Sequence, residues 1–553
     1  MDWRVKQKAL DDHLPQDSHL RQYLSQKDET AKVVFGLPEP KLVPYRNLPN
    51  PRLLLVLPPM CLYEGAVKRA VPPLGLCYLT GALEQEGFDV TILDCIIEGI
   101  DEVERVQPDS WRFGMSEARF REFIRARHFD LVGLSMIYSS DLRNLYRYAQ
   151  IVKQEWPETI VIAGGLHATI YTERFLQDAA AQGTPCVDFV IRGEGEARLP
   201  RFLRNLTRGQ IDLHQEGLAG WWAGKIFANP QREQITDLDR LPLPAYHKVP
   251  LEKYFAHNVP FSPYPRGRRV MQIYTSRGCP VGCTFCASTN FAKAYRARSV
   301  DSVISEILYY QQRYGIDEIQ FADDNLTFDR RRAMELFEKM SPLGIPWCTP
   351  NGIMINTLDE ALLDRMIASG LYQITLSVDS GNAETLRHKH RKPVNLSRLP
   401  DLMRFLDARG VLMHGTLVVG MPGESEEDIR QGFEFIEGLP FHSMNVFIAQ
   451  AIPGSELFER QVASGTITYE GALHIDTARS TLRLSSIEGH RLEELVGNFL
   501  ARYNKRMRDR DPVAWERKYA LHKERLRNIC VGTPSANTEK ILQSYEPVGN
   551  PAL

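Results

Sequence analysis

The sequence predicts an α/β chain of two domains in series. The first is a doubly wound (Rossmann-like) parallel sheet, the second a partial (β/α)6 TIM barrel, and a small helical C-terminal region follows. Three observations carry this. Between residues 52 and 196, five apolar runs alternate with helical stretches, several of them closed by proline or glycine. Between 270 and 449, six strand-like runs alternate with helices, and most end in a polar cluster. Beyond 486, amphipathic stretches carry helix signals. Regular strand–helix alternation implies parallel sheets, whose ligands gather at the carboxyl ends of the strands.

The 553 residues suggest several domains. We read 1–50 as a polar extension, 51–210 as the first domain, 211–265 as a connector, 266–485 as the barrel and 486–553 as the helical region. The formal net charge of −2 leaves no basic excess for a phosphate backbone, so no nucleic-acid partner is expected. No run approaches the roughly 20 apolar residues that cross a bilayer, and no secretory signal opens the chain, so no membrane role is expected. The nine cysteines form no disulfide framework, which fits a reducing cytoplasm.

Taken in order, Leu53-Leu-Leu-Val-Leu57 is a continuous apolar run ending in Pro58-Pro59, as a buried parallel strand should look. Pro73-Leu74-Gly75-Leu76 opens a helix to Gln85, and Gly87 ends it. Strands follow at 89–93, 131–136 (after a helix at 117–127), 160–163 and 189–191. Gly164-Gly165 closes the fourth strand and Gly193-Glu194-Gly195-Glu196 the fifth. Leu241-Pro-Leu-Pro-Ala-Tyr246 is an extended tie between the domains. The barrel strands are expected at 270–274, 318–321, near Trp347, and at 373–377, 413–419 and 444–449. Ser425 before Glu426-Glu427-Asp428 caps an acidic helix start. Residues 492–503 and 515–527 are amphipathic.

The loop leaving strand 270–274 reads Thr275-Ser-Arg-Gly-Cys-Pro-Val-Gly-Cys-Thr-Phe-Cys-Ala287. Cys279, Cys283 and Cys286 are separated by three residues and then two. Three thiolates on one short loop hold three irons of a cubane and leave the fourth open to a small molecule. Structural zinc wants four ligands, and no further Cys or His follows within the next forty or so residues.

This spacing, with Phe285 before the third cysteine, resembles the signature of the radical S-adenosylmethionine enzymes. The resemblance implies a 4Fe-4S cluster on Cys279, Cys283 and Cys286 that binds S-adenosylmethionine at its open iron. It further implies contacts to that ligand from Phe285, from the Asp323-Asp324 pair (the methionyl amino group), from Ser377 and Asp379 (ribose or carboxylate) and from Gly420 (the adenine edge). The glycine runs ahead of the cluster resemble the cobalamin-binding domain of the cobalamin-dependent members of that family. Contacts are then implied at Leu74, Gly75, Ser135, Ser139, Gly164, Gly165, His167, Gly193, Glu194 and Gly195, with 60–69 passing near the lower face of the corrin. His167 is expected to hydrogen-bond rather than ligate cobalt. His414, Asn325, Asn351 and Gln450 are expected to face the cavity.

Four stretches look closest to the methyltransferases of phosphonate and phosphinate antibiotic biosynthesis. They are Tyr274-Thr-Ser-Arg-Gly-Cys, Asp323-Asp-Asn-Leu-Thr, Trp347-Cys-Thr-Pro-Asn-Gly and Met413-His-Gly through Gly420-Met-Pro. The implied reaction moves a methyl group from S-adenosylmethionine, via methylcobalamin, to an unactivated carbon or to phosphorus of a small natural-product molecule. A 5′-deoxyadenosyl radical would remove the hydrogen, since an sp³ C–H offers nothing to a general base. An external electron donor such as flavodoxin is implied by that chemistry. Two alternatives stand beside it: a cyclase or ring-rearranging enzyme using the same cofactors, and a non-catalytic cobalamin carrier, which would need no cubane.

Overall fold

The computed structural model describes residues 42–63, 66–136, 138–181, 185–262, 264–288, 294–476, 479–510 and 512. The expected helix at 515–527 and most of the 1–50 extension lie outside them.

Among the described residues the first sheet contains β1 (Leu53–Leu57), β2 (Val90–Asp94), β3 (Leu131–Met136), β4 (Ile160–Gly165) and β5 (Phe189–Ile191). They pair in the order β2-β1-β3-β4-β5, all parallel. All five residues of β1 are buried because both faces of the sheet are covered. Leu53, Leu55 and Leu57 face a core shared with helices α1 (Leu74–Gln85) and α5 (Gly195–Leu206). Leu54 and Val56 face the opposite core, with α2 (Glu117–Ala126), α3 (Leu142–Glu155) and α4 (Thr172–Ala180). The chain passes from β2 back across β1 to β3, so the strand order reverses between β1 and β3.

Three features depart from the expectation. Residues assigned to the connector form a hairpin, β6 (Leu218–Trp222) and β7 (Lys225–Ala228), that extends the sheet antiparallel from β5. Its turn residues Ala223 and Gly224 have φ of 48° and 74°, the left-handed pair that matches strand twist. Leu42–Pro44, placed in the extension, pairs antiparallel with Gln210–Asp212. Met60–Tyr63, inside the loop expected near the lower corrin face, pairs with Ser110–Phe113, which in turn pairs with Val103–Gln107.

The second sheet contains β8 (Val270–Ile273), β9 (Glu318–Phe321), β10 (Trp347–Ile353), β11 (Leu371–Asp379), β12 (Leu412–Val419) and β13 (Ser443–Ile448). The strands pair in chain order and in parallel. Helices α6 (Val300–Tyr314), α7 (Arg330–Met340), α8 (Glu360–Ala368), α9 (Leu399–Asp407), α10 (Glu426–Glu437) and α11 (Glu456–Ala463) separate or follow them. This is the partial barrel. Ser425 caps α10 through a capping box with Asp428. The tie at 241–246 touches both halves: Ala245 N donates to Cys77 O of α1 at 2.9 Å, and Tyr246 Oη to Gln272 O of β8 at 3.2 Å. No helix among the described residues is long and apolar enough to cross a membrane.

Helix α12 (Gly489–Arg510) lies against the late barrel strands. The Phe499 ring stacks on Phe433 of α10 at 4.0 Å between centroids. Tyr503 Oη donates to Phe441 O at 2.7 Å. Phe499 is fully buried, so Phe499→Ala should cost about 3–5 kcal/mol and lower the urea midpoint of the barrel transition. An unchanged midpoint would mean that α12 does not dock as described.

Candidate active site between the two sheets

The cysteine loop leaves the carboxyl end of β8. Its neck is a short antiparallel ribbon, Ser276–Arg277 paired with Arg296–Ala297. Gly278 and Gly282 take φ of 88° and 77°, turns that a side chain would strain. The far side of the loop is pinned: Thr284 N donates to His390 O at 3.0 Å, Thr284 Oγ1 to Lys389 O at 2.7 Å, and Leu457 N to Thr284 O at 2.8 Å. Cys283 is buried, whereas Cys279 and Cys286 are half-buried. Burial pushes the Cys283 thiol up to about 12, so iron must displace a tightly held proton there.

Two observations fit an iron–sulfur group at this loop. Asn325 is buried and its Nδ2 lies 3.9 Å from Cys279 Sγ, while its Oδ1 has no partner among the described residues. Both ring nitrogens of His390, a fully buried side chain set edge-on to Phe285 at 5.3 Å, are likewise without one. Buried polar atoms left unsatisfied by protein are costly, and a bound group can satisfy them.

The carboxylates expected around S-adenosylmethionine separate into two kinds. Asp323 is buried and accepts from Thr275 N at 3.1 Å and Thr275 Oγ1 at 2.7 Å, with Ser276 Oγ added. Its oxygens hold the loop neck, a part that its neighbour Asp324 does not share. Asp324 is exposed and accepts only Gly278 N, at 3.2 Å, among the described residues. Asp379 ends β11 with φ of 63°, and its Oδ2 lies 2.6 Å from Lys392 Nζ. Ser377 is half-buried beneath Gly352, where any Cβ would come within 2.0 Å of Ser377 Oγ. Gly420 departs from expectation: its N–H donates to Glu424 Oε2 at 2.6 Å, and a Cβ would meet Leu492 of α12 at 2.5 Å. It is a turn under a helix, with no free amide for a ligand edge. Burial pushes the Glu424 carboxyl up to about 7.

The cobalamin-side residues gather at the carboxyl ends of β3, β4 and β5. A cleft at the reversal between β1 and β3 is lined by Leu57, Pro58, Met60, Ser135, Met136 and Asp141, where doubly wound sheets take ligands. A Cβ on Gly75 would meet nothing within 4 Å, so this surface is open; Leu74 beside it is buried. Gly165 has φ of 104° and a Cβ there would strike Met136 O at 2.2 Å, and Gly164 stands next to it at the strand end. Gly193 donates to Thr169 Oγ1 at 3.0 Å, and Gly195 starts α5. Gly75 and Gly164 leave open backbone there, whereas Gly165 and Gly193 are glycines because neighbouring atoms crowd them.

His167 and Glu194 take other parts. His167 is buried, with Nδ1 2.9 Å from Ser139 Oγ and Nε2 2.7 Å from Tyr469 Oη. Both nitrogens are occupied, so it bridges the first domain to the segment after β13. Glu194 has one oxygen 3.1 Å from Arg277 Nη1 and the other 2.8 Å from Arg296 Nη1 and from Ile235 N. Its carboxylate holds the neck of the cysteine loop.

The remaining cavity expectations divide. Asn351 stands at the rim, donating to Ala322 O at 2.6 Å. His414 is near the amino end of β12, 2.6 Å from Ser443 Oγ, and so sits toward the base of the barrel. The Gln450 amide binds Asp476 O, Arg479 O and Thr481 Oγ1 at 2.8–3.0 Å, holding 476–481 in place. Sequence reasoning missed Glu196, Arg277 and Arg296; two acidic residues in a glycine run and two arginines flanking the cysteines were the available signal.

Burial lowers His167 from 6.5 to about 4. The fold accepts the neutral ring, the unfolded chain binds the proton more readily, and stability falls as pH drops from above 6.5 toward 4. Between pH 8 and 5, wild type should lose about 2 kcal/mol more than His167→Gln, read as the difference in urea midpoints. Equal losses would sink this account.

Comparison with known proteins agrees with the two halves. The B12 binding domain model matches residues 63–203 and the Radical SAM superfamily model residues 273–436. Cytidylyl-2-hydroxyethylphosphonate methyltransferase of Streptomyces wedmorensis is 33% identical over 493 residues, spanning 83% of this chain and 91% of its own. The radical S-adenosylmethionine methyltransferase TsrM from Kitasatospora setae, solved with cobalamin and a [4Fe-4S] cluster bound, has the same fold: TM-score 0.57 at 17% identity, over 75% of each chain. The cobalamin-dependent radical enzyme OxsB, with aqua-cobalamin and S-adenosylmethionine bound, gives TM-score 0.61 at 14% identity over 86% of this chain and 71% of its own. With the cysteine loop at the carboxyl end of β8, both domain models matched, and a relative of this identity over nearly its full length, the chain belongs to the cobalamin-dependent radical S-adenosylmethionine methyltransferases.

Proposed function

We propose that this enzyme methylates an unactivated carbon of a small, nucleotide-bearing phosphonate. The observation that carries the reading is the likeness to the Streptomyces wedmorensis enzyme over 83% of this chain, a length that takes in both domains. Cys279, Cys283 and Cys286 would hold three irons of the cluster. Asp324 would meet the methionyl amino group, as the member of its pair whose carboxylate is exposed. Asp379, its carboxylate oriented by Lys392, and Ser377 would meet the ribose or the methionyl carboxylate. Phe285 and His390 would flank the adenosyl group. When bound, the cluster supplies the electron that cleaves S-adenosylmethionine, and cobalamin supplies the methyl group. The chain's own work is to place both against the substrate and exclude water. An electron donor of the flavodoxin kind would complete the cycle.

Asp324→Asn should weaken S-adenosylmethionine binding about tenfold or more, the worth of one charge-assisted contact, with the melting temperature nearly unchanged. Asp323→Asn should instead lower stability by about 1–3 kcal/mol, since it disturbs a buried hydrogen-bond set. Equilibrium dialysis and thermal melts on the reconstituted protein read both. Equal binding losses with equal melting temperatures would refute the division of labour.

The reaction is tested by anaerobic reconstitution with iron, sulfide and hydroxocobalamin, then incubation with S-adenosylmethionine, a strong reductant and cytidylyl-2-hydroxyethylphosphonate. A methylated phosphonate, with 5′-deoxyadenosine and S-adenosylhomocysteine both rising, is expected. Substrate consumed with 5′-deoxyadenosine but no S-adenosylhomocysteine would replace methyl transfer by ring closure or rearrangement. Methylation of other acceptors alone would remove the phosphonate assignment.

A further inference from the structure

The run Gly193-Glu194-Gly195-Glu196 leaves the carboxyl end of β5 and reaches across to the barrel. Glu194 Oε1 lies 3.1 Å from Arg277 Nη1, and Glu194 Oε2 lies 2.8 Å from Arg296 Nη1. Glu196 Oε1 lies 2.7 Å from Arg277 Nη2. All four side chains are at most 19% exposed, so the pairs are shielded from solvent and from salt. Arg277 and Arg296 are directly opposed across the ribbon at the neck of the cysteine loop, and Arg277 stands two residues before Cys279.

Two further contacts tighten the grip. The Arg277 guanidinium lies over the Tyr78 ring at 5.3 Å, and Tyr78 is on α1, the helix that Leu74 and Gly75 open. Ile235 of the connector donates its N–H to Glu194 at 2.8 Å and accepts from Arg296 at 2.6 Å. The neck of the cysteine loop is thus held by the cobalamin-side loop after β5, by α1 and by the connector at once. A guanidinium whose two prongs engage two separate carboxylates is fixed in angle as well as distance, which a single ion pair does not achieve.

We propose that Glu194 and Glu196 are positioning residues. They set the cysteine loop, and with it the radical-generating end of the barrel, at a fixed separation from the cobalamin half, and they touch neither cofactor. This rests on the methyl-transfer reading, because the separation matters only where a radical made at one centre must be met by a methyl group held at the other. Geometry of this kind is sharply limiting: a misplacement of about 1 Å can cost about 100-fold in a transfer step.

The test uses the full-length protein, reconstituted anaerobically with iron, sulfide and hydroxocobalamin, as wild type, Glu194→Gln, Glu196→Gln and Arg277→Lys. Iron and cobalamin content, the spin–spin distance distribution between the reduced cluster and paramagnetic cobalt, and the ratio of 5′-deoxyadenosine to methylated product are measured. The glutamine variants should keep both cofactors, broaden the distance distribution and raise the ratio about tenfold. Arg277→Lys keeps the charge but loses the fork, so it should broaden the distribution less; it decides the matter if the glutamine variants do not fold. A distance distribution and product ratio unchanged in the variants that fold would overturn the proposal. So would loss of cobalamin from Glu194→Gln with the distance intact in the loaded fraction, which would make Glu194 a cobalamin contact. The spin measurement needs no substrate, so a wild type that fails to methylate the phosphonate removes the functional reading while this inference is still judged.

Discussion

Parallel strands have a direction, and the loops that do chemistry leave from one end of it. Both sheets here turn that end toward the other, and the rest of the arrangement depends on that opposition. The loop after β5 meets the loop after β8 through Glu194, Glu196, Arg277 and Arg296. On the other side, Tyr171, following β4, donates to Glu459 and accepts from Gly454 N at 2.7 Å, beyond β13. His167 and Tyr469 join in the same region. One seam is built of arginine–carboxylate pairs; the other is mainly aromatic, with Arg174 of the first domain paired to Glu470 at 2.6 Å beside it. Between them lie the cleft at the β1–β3 reversal and the cysteine loop. The cleft is lined by the first domain's own residues and the cysteine loop belongs to the second, and the two seams hold them face to face.

The polar groups near the cysteines sort by what they already hold. Asp323, Thr284 and Glu424 have their hydrogen-bonding atoms occupied by neighbouring loops and stiffen the rim. Asp324, Asn325 Oδ1 and the His390 ring keep unused capacity toward the loop. A rim built this way is rigid before any ligand arrives, and its unsatisfied atoms mark where one must make contact. That division cannot be read from residue type, since Asp323 and Asp324 are adjacent and identical.

Strands and helices were legible wherever burial is two-sided or periodicity is clean. β1 and β5 were found with their ends because continuous apolar runs stop abruptly at proline or charge. The hairpin at 218–228 was hidden: it is short, its edge position needs no long apolar run, and its turn is Ala-Gly where Asn-Gly would have signalled. Val103–Gln107 was hidden for the opposite reason, since four of its five residues are exposed and nothing apolar alternates. Within the site, the cysteines stood out because their spacing on one short loop implies a loop chemistry. The partners of Glu194 were hidden because a carboxylate in a glycine run says nothing about an arginine 83 residues further on. The packing over Gly420 was hidden because Leu492 belongs to a helix outside the barrel. Contacts distant in sequence are set by docking, and a single sequence carries no record of them.

The acidic pair belongs to one domain and the arginine pair to the other, and that makes the two halves of this protein poor modules. Each sheet has its own core and its own cofactor surface, so each looks like a part that could be exchanged among relatives by recombination. A half received from a relative with a different loop after its fifth strand would fold and load its cofactor, yet meet its new partner at the wrong angle. An exchange that kept the join would have to carry four side chains, spread over 103 positions of chain, together.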